Sequence, residues 1–497
     1  MKRRILLEPL VSLLALSAEI AHAQSPAPAA EQDVEIEVES APATSAPEPA
    51  PVTRDEVTAL RAELTALQQR LSASEAERAA QSARDEATRS EAQRAEEEQE
   101  RRSLLDRATK LGVSVSGYLQ TQYGRSELSQ DELLQGGTPL NQNRFSVRRG
   151  RVRLKGRWKY VRADFEIDAS TTRGPTASVR RASVGAVLPN ADETQPPLLV
   201  LSAGLTEIPL GLELQQGQDE ILFLERTQGS LALFSGPVDT GVRLDGAYGP
   251  FRLQLAVMNG TPIDDRAGGP SALDATSAPD FVGRVGVDTQ ATEAFHVSGG
   301  VSFLTGKGFH PGSDATKSVL QWDDSNADGA INAGELVAVA GRGALPSATF
   351  DRWAVGADLA FDLKTSLGTS RLYGELMLAT NLDRALFVAD PIAAGDDIRE
   401  LSWYVAVIQD LTEWGFVGLR YDVYDPNSDL VDSRRGQSIP SDASLRTWAP
   451  IAGARYPGYG RITFEYDYIK DKLARDVRGV PTDVANNQWT VRVQGEF

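Results

Sequence analysis

Residues 145–169 read FSVRRGRVRLKGRWKYVRADFEIDA, and the alternation within this stretch decides the fold. From Val152 to Trp158 every second residue is apolar or glycine, and the residues between them are arginine or lysine. After Tyr160 the alternation resumes, with charged residues between apolar ones as far as Ile167. A period of two predicts β-strands that have one apolar face and one charged face.

Such strands fit a soluble sheet, whose charged face meets water, or an outer-membrane barrel, whose apolar face meets lipid and whose charged face lines a lumen. The N-terminus favours export. Residues 1–23 combine the basic Lys2–Arg4, a short apolar core and the small-residue sequence Ala21-His22-Ala23, which together predict a signal peptide. No later stretch reaches the ~18 apolar residues of a spanning helix. A closed barrel crosses a bilayer without one, because closure pairs every backbone group.

The composition excludes several functional classes. The chain has no cysteine and only 3 histidines in 497 residues, which argues against thiolate chemistry and histidine-based zinc sites. A net charge of −18 argues against nucleic-acid binding. Paired carboxylates lack a catalytic partner at defined spacing, and only His296 and His310 could serve a Ser–His pair in the strand-rich region, so we predict that the chain is not an enzyme.

Two segments precede the strand-rich region. Residues 24–53 are rich in Pro, Ala and Glu and predict a disordered linker. Residues 54–110 predict a periplasmic helix, which either self-associates as a coiled coil or stands alone with Glu–Arg pairs four residues apart. The apolar residues of its short heptad pattern are Val57, Leu60, Leu64, Leu67 and Leu71.

Residues 111–497 predict an all-β domain of sixteen antiparallel strands. The predicted strands are 113–124, 144–159, 160–169, 178–188, 198–207, 238–248, 250–259, 280–289, 294–305, 350–364, 369–380, 398–410, 413–424, 446–456, 459–470 and 487–497. Short and long links alternate along the chain, which is typical of a transmembrane outer-membrane β-barrel with tight periplasmic turns and long external loops. The aromatic residues expected in girdles at the two lipid interfaces are Tyr118, Tyr123, Trp158, Trp353, Trp403, Trp414, Tyr421, Tyr424, Trp448, Tyr456 and Tyr459.

Four runs of sequence resemble the phosphate-selective porin O/P family. They read RFSVRRGRVRLKG (144–156), VLSAGLTEIPLGLE (200–213), ILFLERTQGSLALFSGPVDTGVRLDG (221–246) and VMNG (257–260). The resemblance covers roughly residues 112–497 and implies a usually trimeric, sixteen-stranded porin. It further implies that the loop 208–237 folds inward as a constriction, and that the terminal Phe497 is read by the barrel-assembly machinery.

Basic residues at expected inward positions could line a path for anions. Arg and Lys replace the hydration that an anion sheds, and the guanidinium fork matches phosphate oxygens. The candidate pore-lining and anion-binding residues are Arg151, Arg153, Lys155, Arg157, Lys159, Arg243, Arg252, Arg284, Arg352, Arg420, Arg455 and Arg492. Alternatively, these residues pair with acids on neighbouring strands and only hold the wall. The candidate constriction residues are Glu213, Glu225 and Arg226. The loop also contains Asp219 and Glu220, and its acidity counts against strong anion selectivity.

Residues 324–335 read DSNADGAINAGE and match the twelve-residue calcium-loop pattern at each ligand position. The sequence therefore predicts a structural Ca²⁺ site in an extracellular loop, although a plain polar loop is the alternative. The candidate ligands are Asp324, Asn326, Asp328, Ala330 (through its carbonyl), Asn332 and Glu335.

These features predict a porin of the bacterial outer membrane that passes small hydrophilic solutes, with a preference for anions such as phosphate or polyphosphate. The expected partners are outer-membrane lipid, two further copies in a homotrimer, small anionic solutes and the barrel-assembly machinery. Two alternatives stay open. One is a general or weakly cation-selective porin, and the other is a structural tether that joins the outer membrane to peptidoglycan through the coiled coil.

Overall fold

The computed structural model describes residues 111–497 except 135–136, 138, 173, 193, 263–275, 323–331, 433–438 and 473–481, and before them residues 59, 63–67, 69–74 and 81. The chain divides into two units, Met1–Gln93 and Arg94–Phe497. The described residues of the first unit are helical and exposed. The predicted signal peptide and linker lie outside the described residues, and the coiled coil stays a prediction. Within the described part of the chain, no helix is long and apolar enough to cross a membrane.

Sixteen strands form one closed antiparallel barrel, as the alternation predicts. Each lies within a few residues of its predicted position. The strands are β1 Val113–Ser126, β2 Arg144–Arg157, β3 Val161–Ser170, β4 Thr176–Leu188, β5 Leu199–Glu207, β6 Val238–Tyr248, β7 Phe251–Met258, β8 Asp280–Thr292, β9 Phe295–His310, β10 Ala348–Thr365, β11 Gly368–Thr380, β12 Arg399–Leu411, β13 Gly415–Asp425, β14 Leu445–Tyr456, β15 Gly460–Asp471 and β16 Gln488–Glu496.

The barrel closes between its first and last strands. Residues Tyr118–Ser126 of β1 pair with Gln488–Glu496 of β16. Beyond the end of β16, Phe497 and Gly117 exchange two backbone N–H···O bonds, both of 3.0 Å. Closure leaves the wall without a long free edge, which is the condition for strands to lie in hydrocarbon.

The outer surface of the wall is apolar. Val152, Leu201 and Val405 point outward and are about half exposed, whereas the charged residues between such positions point inward. This sidedness is the reverse of a soluble sheet, and it identifies the chain as a membrane-spanning barrel of the outer-membrane type. Trp403, Tyr421 and Trp448 form an aromatic cluster on the outside, as expected of a girdle, with ring centroids 5.5 Å and 4.3 Å apart along the series.

Two of the predicted girdle residues face the other way. Tyr118 and Tyr424 are 4% and 0% exposed and point into the barrel. Both lie on the inward-facing side of their strands, and strand-end position alone could not distinguish the two faces.

The expectation of a wet lumen wall is wrong for one side of the barrel. From β7 to β14 many inward-facing residues are apolar and buried. They are Ala256, Met258, Val282, Leu304, Ala354, Met377, Ala379, Tyr404, Ala406, Ile408, Phe416, Tyr424, Leu445, Ala449 and Ile451. An apolar inner wall is stable only when something apolar covers it, and the covering segment comes from the chain itself.

Candidate pore lining and constriction

The loop between β5 and β6, residues 208–237, lies inside the barrel. Its base is closed by a 2.9 Å bond from the Ile208 amide to the Pro237 carbonyl. Its apolar side chains cover the apolar inner wall of β7 to β14, which we call the dry wall, in two clusters. They are Ile208, Leu210, Leu214, Ala232, Leu233 and Phe234 in one cluster, and Ile221, Leu222 and Phe223 in the other. Burial of apolar surface therefore holds this loop across the lumen.

A buried carboxylate organises the loop internally. The loop contains a short helix, α1 Gln228–Leu233, whose N-cap is Thr227. The Thr227 hydroxyl donates to Glu213 at 2.6 Å, and the Thr227 amide donates to the same carboxylate at 3.1 Å. Glu213 is only 3% exposed, and Arg420 of the wall lies 3.7 Å from it. The loop thus uses this acid to hold its own shape and does not present it to water.

Two acids of the wall bind the loop backbone. Glu375 on β11 accepts hydrogen bonds from the amides of Leu212 and Glu213 at 3.0 and 3.1 Å. Glu465 on β15 accepts one from the Leu224 amide at 2.7 Å. Glu375, which the sequence did not single out, requires a glycine next to it. A Cβ at Gly211, where φ is +61°, would lie 2.0 Å from its Oε1.

Three arginines converge on Glu225 at the far side of the loop. Its carboxylate lies 2.7 Å from Nε of Arg148, 3.0 Å from Nη2 of Arg149 and 2.6 Å from Nη2 of Arg492. Burial opposes ionisation of Glu225, but the three guanidiniums outweigh it and hold its pKa well below the usual carboxyl range. We call these four residues the Glu225 clasp. It carries three positive charges against one negative charge, and Arg148 and Glu225 remain 29% and 31% exposed.

The alternation does not predict that Arg148 and Arg149 both face inward, because neighbouring residues of a regular strand face opposite sides. The β1–β2 register shifts between Gln120 and Thr121, so Arg148 is the extra residue of a β-bulge. The bulge brings both guanidiniums inward, where a regular strand would leave one of them in lipid. An Arg-Arg pair in a strand that must cross hydrocarbon is the signal that could have predicted it.

A second β-bulge, also at an Arg-Arg pair, lies in β4. The β3–β4 register shifts between Glu166 and Ile167, and Arg180 is the extra residue. Arg180 lies 3.8 Å from Asp168 of β3, while Arg181 pairs with Glu207 at the end of β5. Two Arg-Arg pairs are thus turned inward on the side of the barrel that the loop leaves polar.

Most of the predicted pore-lining residues form ion pairs across strands. Arg151 bridges Glu166 at 3.3 Å and Asp168 at 3.1 Å, and Arg153 pairs with Glu166. The other pairs across strands are Arg157–Asp164, Arg252–Asp288, Arg284–Asp358, Arg352–Asp280 and Arg455–Asp410. Arg243–Asp245 and Arg420–Asp422 pair within a single strand. These contacts agree with the alternative in which arginines and acids hold the wall together.

The predicted residues differ in their access to water. Arg352, Arg420 and Arg492 are 3 to 5% exposed. Lys155 is half-buried on the inward face of β2. Lys159 falls beyond the end of β2, in the turn, where its Nζ lies 5.3 Å from the Tyr160 ring centroid. The predicted row along β2 therefore ends at Arg157.

Arg226 binds the backbone of the constriction loop itself. Its guanidinium donates to the carbonyls of Glu213 at 3.1 Å, Leu214 at 3.3 Å and Gln216 at 3.2 Å. Burial lowers its pKa from the usual arginine value. Arg226 fixes the fold of the segment that leads to the Glu225 clasp.

Four of the predicted calcium ligands, Asp324, Asn326, Asp328 and Ala330, lie outside the described residues, whereas Asn332 and Glu335 lie within them. The described residues by themselves contain no group of three or more His, Cys, Asp or Glu side chains that could hold a metal.

Neither a protein-family model nor a curated protein matches the chain. Solved outer-membrane channels are similar to it in structure. DcaP of Acinetobacter baumannii is 10% identical over 78% of this chain and 97% of its own, with a TM-score of 0.47. OprB of Pseudomonas putida is 10% identical over 79% and 96%, with a TM-score of 0.46. An anion-selective porin from Comamonas acidovorans is 11% identical over 78% and 99%, with a TM-score of 0.43. A likeness at this identity and score says nothing of which solute passes.

Proposed function

We propose that the chain is an outer-membrane porin that passes small hydrophilic solutes passively and prefers anions such as phosphate or polyphosphate. The observation that carries the proposal is the Glu225 clasp, where three guanidiniums face one carboxylate at the partly exposed edge of the inserted loop. A local excess of guanidinium attracts anions and repels cations most strongly where water is scarce.

The positions of the loop acids support the same preference. From sequence alone the acidity of residues 208–237 counts against anion selectivity. Glu213 is enclosed by Thr227 and the loop backbone, and Asp219 lies 3.6 Å from Arg153. Glu225 is surrounded by its three arginines. Three of the four acids in the loop are therefore paired locally, and the fourth, Glu220, is exposed. Among the four residues of the clasp, guanidiniums outnumber carboxylates three to one.

Recording from the purified full chain in planar bilayers tests the proposal. Under a potassium chloride gradient we expect a reversal potential that favours chloride, and block of the current by millimolar phosphate. Arg148→Gln should reduce the chloride preference, because it removes one clasp charge. Lys159→Gln is the matched control, since it removes a charge from the turn, outside the strand wall.

The other outcomes distinguish the alternatives. A preference for potassium, or an equal effect of the two substitutions, would favour a general porin. A folded barrel that conducts nothing would favour a structural tether to the cell wall. The trimer and contact with peptidoglycan stay predictions from the sequence.

A further inference from the structure

A belt of charged and titratable side chains crosses the inner face of the wall near the short turns. The strands β7, β8, β9, β10, β11, β12 and β14 contribute one residue each, and we call the set the mouth belt. In order around the wall its members are Arg252, Asp288, His296, Asp362, Arg371, Asp410 and Arg455. Successive N···O distances are 3.4, 2.7, 3.8, 3.8, 3.6 and 2.7 Å. The short turns of such barrels face the periplasm, so the belt lies at the periplasmic mouth.

His296 lies between two carboxylates of the belt. Its Nε2 is 2.7 Å from an oxygen of Asp288 on β8, and its Nδ1 is 3.8 Å from an oxygen of Asp362 on β10. An imidazolium carries an N–H on both ring nitrogens, so each N–H of a protonated His296 would face an acid. The side chain is 31% exposed and therefore exchanges protons with the water of the mouth.

The charge of His296 decides the net charge of the belt. The belt contains three arginines and three aspartates, so it is balanced while His296 is neutral and has one positive charge in excess when His296 is protonated. Neighbouring positions do not shift this balance. Gln290, which pairs with His296 across β8 and β9, is uncharged. Glu293 in the β8–β9 turn and Lys364 near the end of β10 are both exposed and opposite in charge.

His310, at the other end of β9, differs from His296 in both respects. Its Nδ1 lies 2.6 Å from Asp390, but its Nε2 is buried and has no hydrogen-bond partner within the described part of the chain. The residue is 5% exposed. Protonation would give His310 a buried N–H that lacks an acceptor there, which is costly. His310 therefore serves as a comparison for His296.

We propose that His296 makes the periplasmic mouth proton-sensitive, so that acid adds a positive charge to the mouth belt and raises the preference of the channel for anions. Histidine is the side chain whose charge ordinarily changes between about pH 5 and 8. Charge at the mouth of a pore changes the local concentration of each ion and hence its entry rate. Both acids are already in place beside His296, so the effect requires no movement of the wall. The proposal rests on the proposed function in that the barrel must conduct ions.

Reversal potentials of the full chain in planar bilayers test the proposal. They are measured under a potassium chloride gradient of low ionic strength at about pH 8 and about pH 5.5, which bracket the usual histidine range. We expect the ratio of chloride to potassium permeability to rise by roughly twofold in acid, because one unit charge is added where screening is weak. His296→Gln should lose most of this rise. His310→Gln is the matched control and should keep the parental rise.

A permanently charged variant completes the test. His296→Lys carries the positive charge at both pH values, so its permeability ratio should already be raised at the higher pH. Heat-dependent gel mobility should show that every variant keeps its barrel. An equal rise in the parent and in His296→Gln would overturn the proposal, and so would a parental ratio that does not change with pH.

The two proposals fail in different ways. A channel that prefers potassium at both pH values, but less so in acid and only while His296 is present, would reject the anion preference and support the role of the belt. A chloride preference that is the same at both pH values would support the anion porin and reject the role of His296.

Discussion

Arg492 on the last strand and Glu225 in the loop between the fifth and sixth strands form an ion pair, with Nη2 and Oε1 2.6 Å apart. The two residues are 267 positions apart in sequence. The same guanidinium also donates to the Leu224 carbonyl and to the Gln122 side chain on β1. Arg492 therefore contacts the loop and the first strand from the strand that closes the barrel, so loop docking is complete only when β16 is in place.

Replacing Arg492 with methionine should loosen the loop and leave the barrel intact. Arg148 and Arg149 still compensate Glu225, so we expect a cost of about 1–3 kcal/mol from the donors and acceptors left unpaired. The measurement is protease cleavage within residues 208–237 of the folded protein, together with single-channel conductance, and both should rise. Lys470→Met, at the rim beside Tyr468, is the control. Unchanged cleavage in Arg492→Met would show that the pair contributes nothing to docking.

Acid should break the Glu225 clasp only well below neutral pH. Burial alone would raise the pKa of Glu225. The three arginines lower this pKa by more than burial raises it, so the folded pKa lies well below the usual carboxyl range. A carboxylate with a lowered folded pKa contributes stability that is fully present above its unfolded value of about 4.3 and is lost as pH falls through the folded value. We expect the contribution of Glu225, taken as the difference in conductance between the parent and Glu225→Gln, to be constant from pH 7 to about pH 5 and to change only as the pH falls through the lowered folded value. Glu225→Gln should lack the acid-induced step. A transition between pH 5 and 7 that the parent shows and Glu225→Gln lacks would contradict this assignment.

The strands were predictable because the same two-residue alternation of apolar and polar side chains runs through most of them. This alternation is required because one face of each strand meets lipid and the other faces the inside of the barrel. Features that break the period were not predicted from the alternation. The inward positions of Arg148 and Arg180 depend on β-bulges. A bulge shifts the alternation by one residue, which in the sequence looks like a break in the strand pattern. The apolar inner wall was not predicted because Val257 faces outward and Met258 faces inward. Both residues are apolar, so the sequence of β7 does not show there which face meets lipid. The docking of the loop depends on wall partners more than a hundred residues away, such as Glu375.

The two bulges lead to a prediction about deletions. Deleting Arg148 or Arg180 removes the extra residue of a bulge, so the flanking residues should keep their faces and the barrel should fold. Deleting Leu154 from the regular part of β2 should shift the register by one residue and turn charged side chains towards lipid. The assay is the yield of heat-modifiable, detergent-folded barrel. We expect near-parental yield for the two bulge deletions and little for the third. Equal loss in all three would mean that the bulges are required for folding.

Phe223 tests whether apolar burial holds the loop against the dry wall. Its side chain is 2% exposed, packs within the cluster that includes Tyr404 and Phe416, and lies beneath Arg420, whose Cζ is 4.7 Å from the ring centroid. Truncation of a buried phenylalanine to alanine costs about 3–5 kcal/mol. In Phe223→Ala that cost falls on the docked position of the loop, because the strands keep their own hydrogen bonds. We therefore expect larger and noisier single-channel currents with an unchanged barrel-folding yield. Phe145→Ala, at a ring that is 83% exposed, should leave the current as it is. If Phe223→Ala conducts like the parent, the polar contacts of Glu225, Glu375 and Glu465 suffice to hold the loop without the apolar cluster.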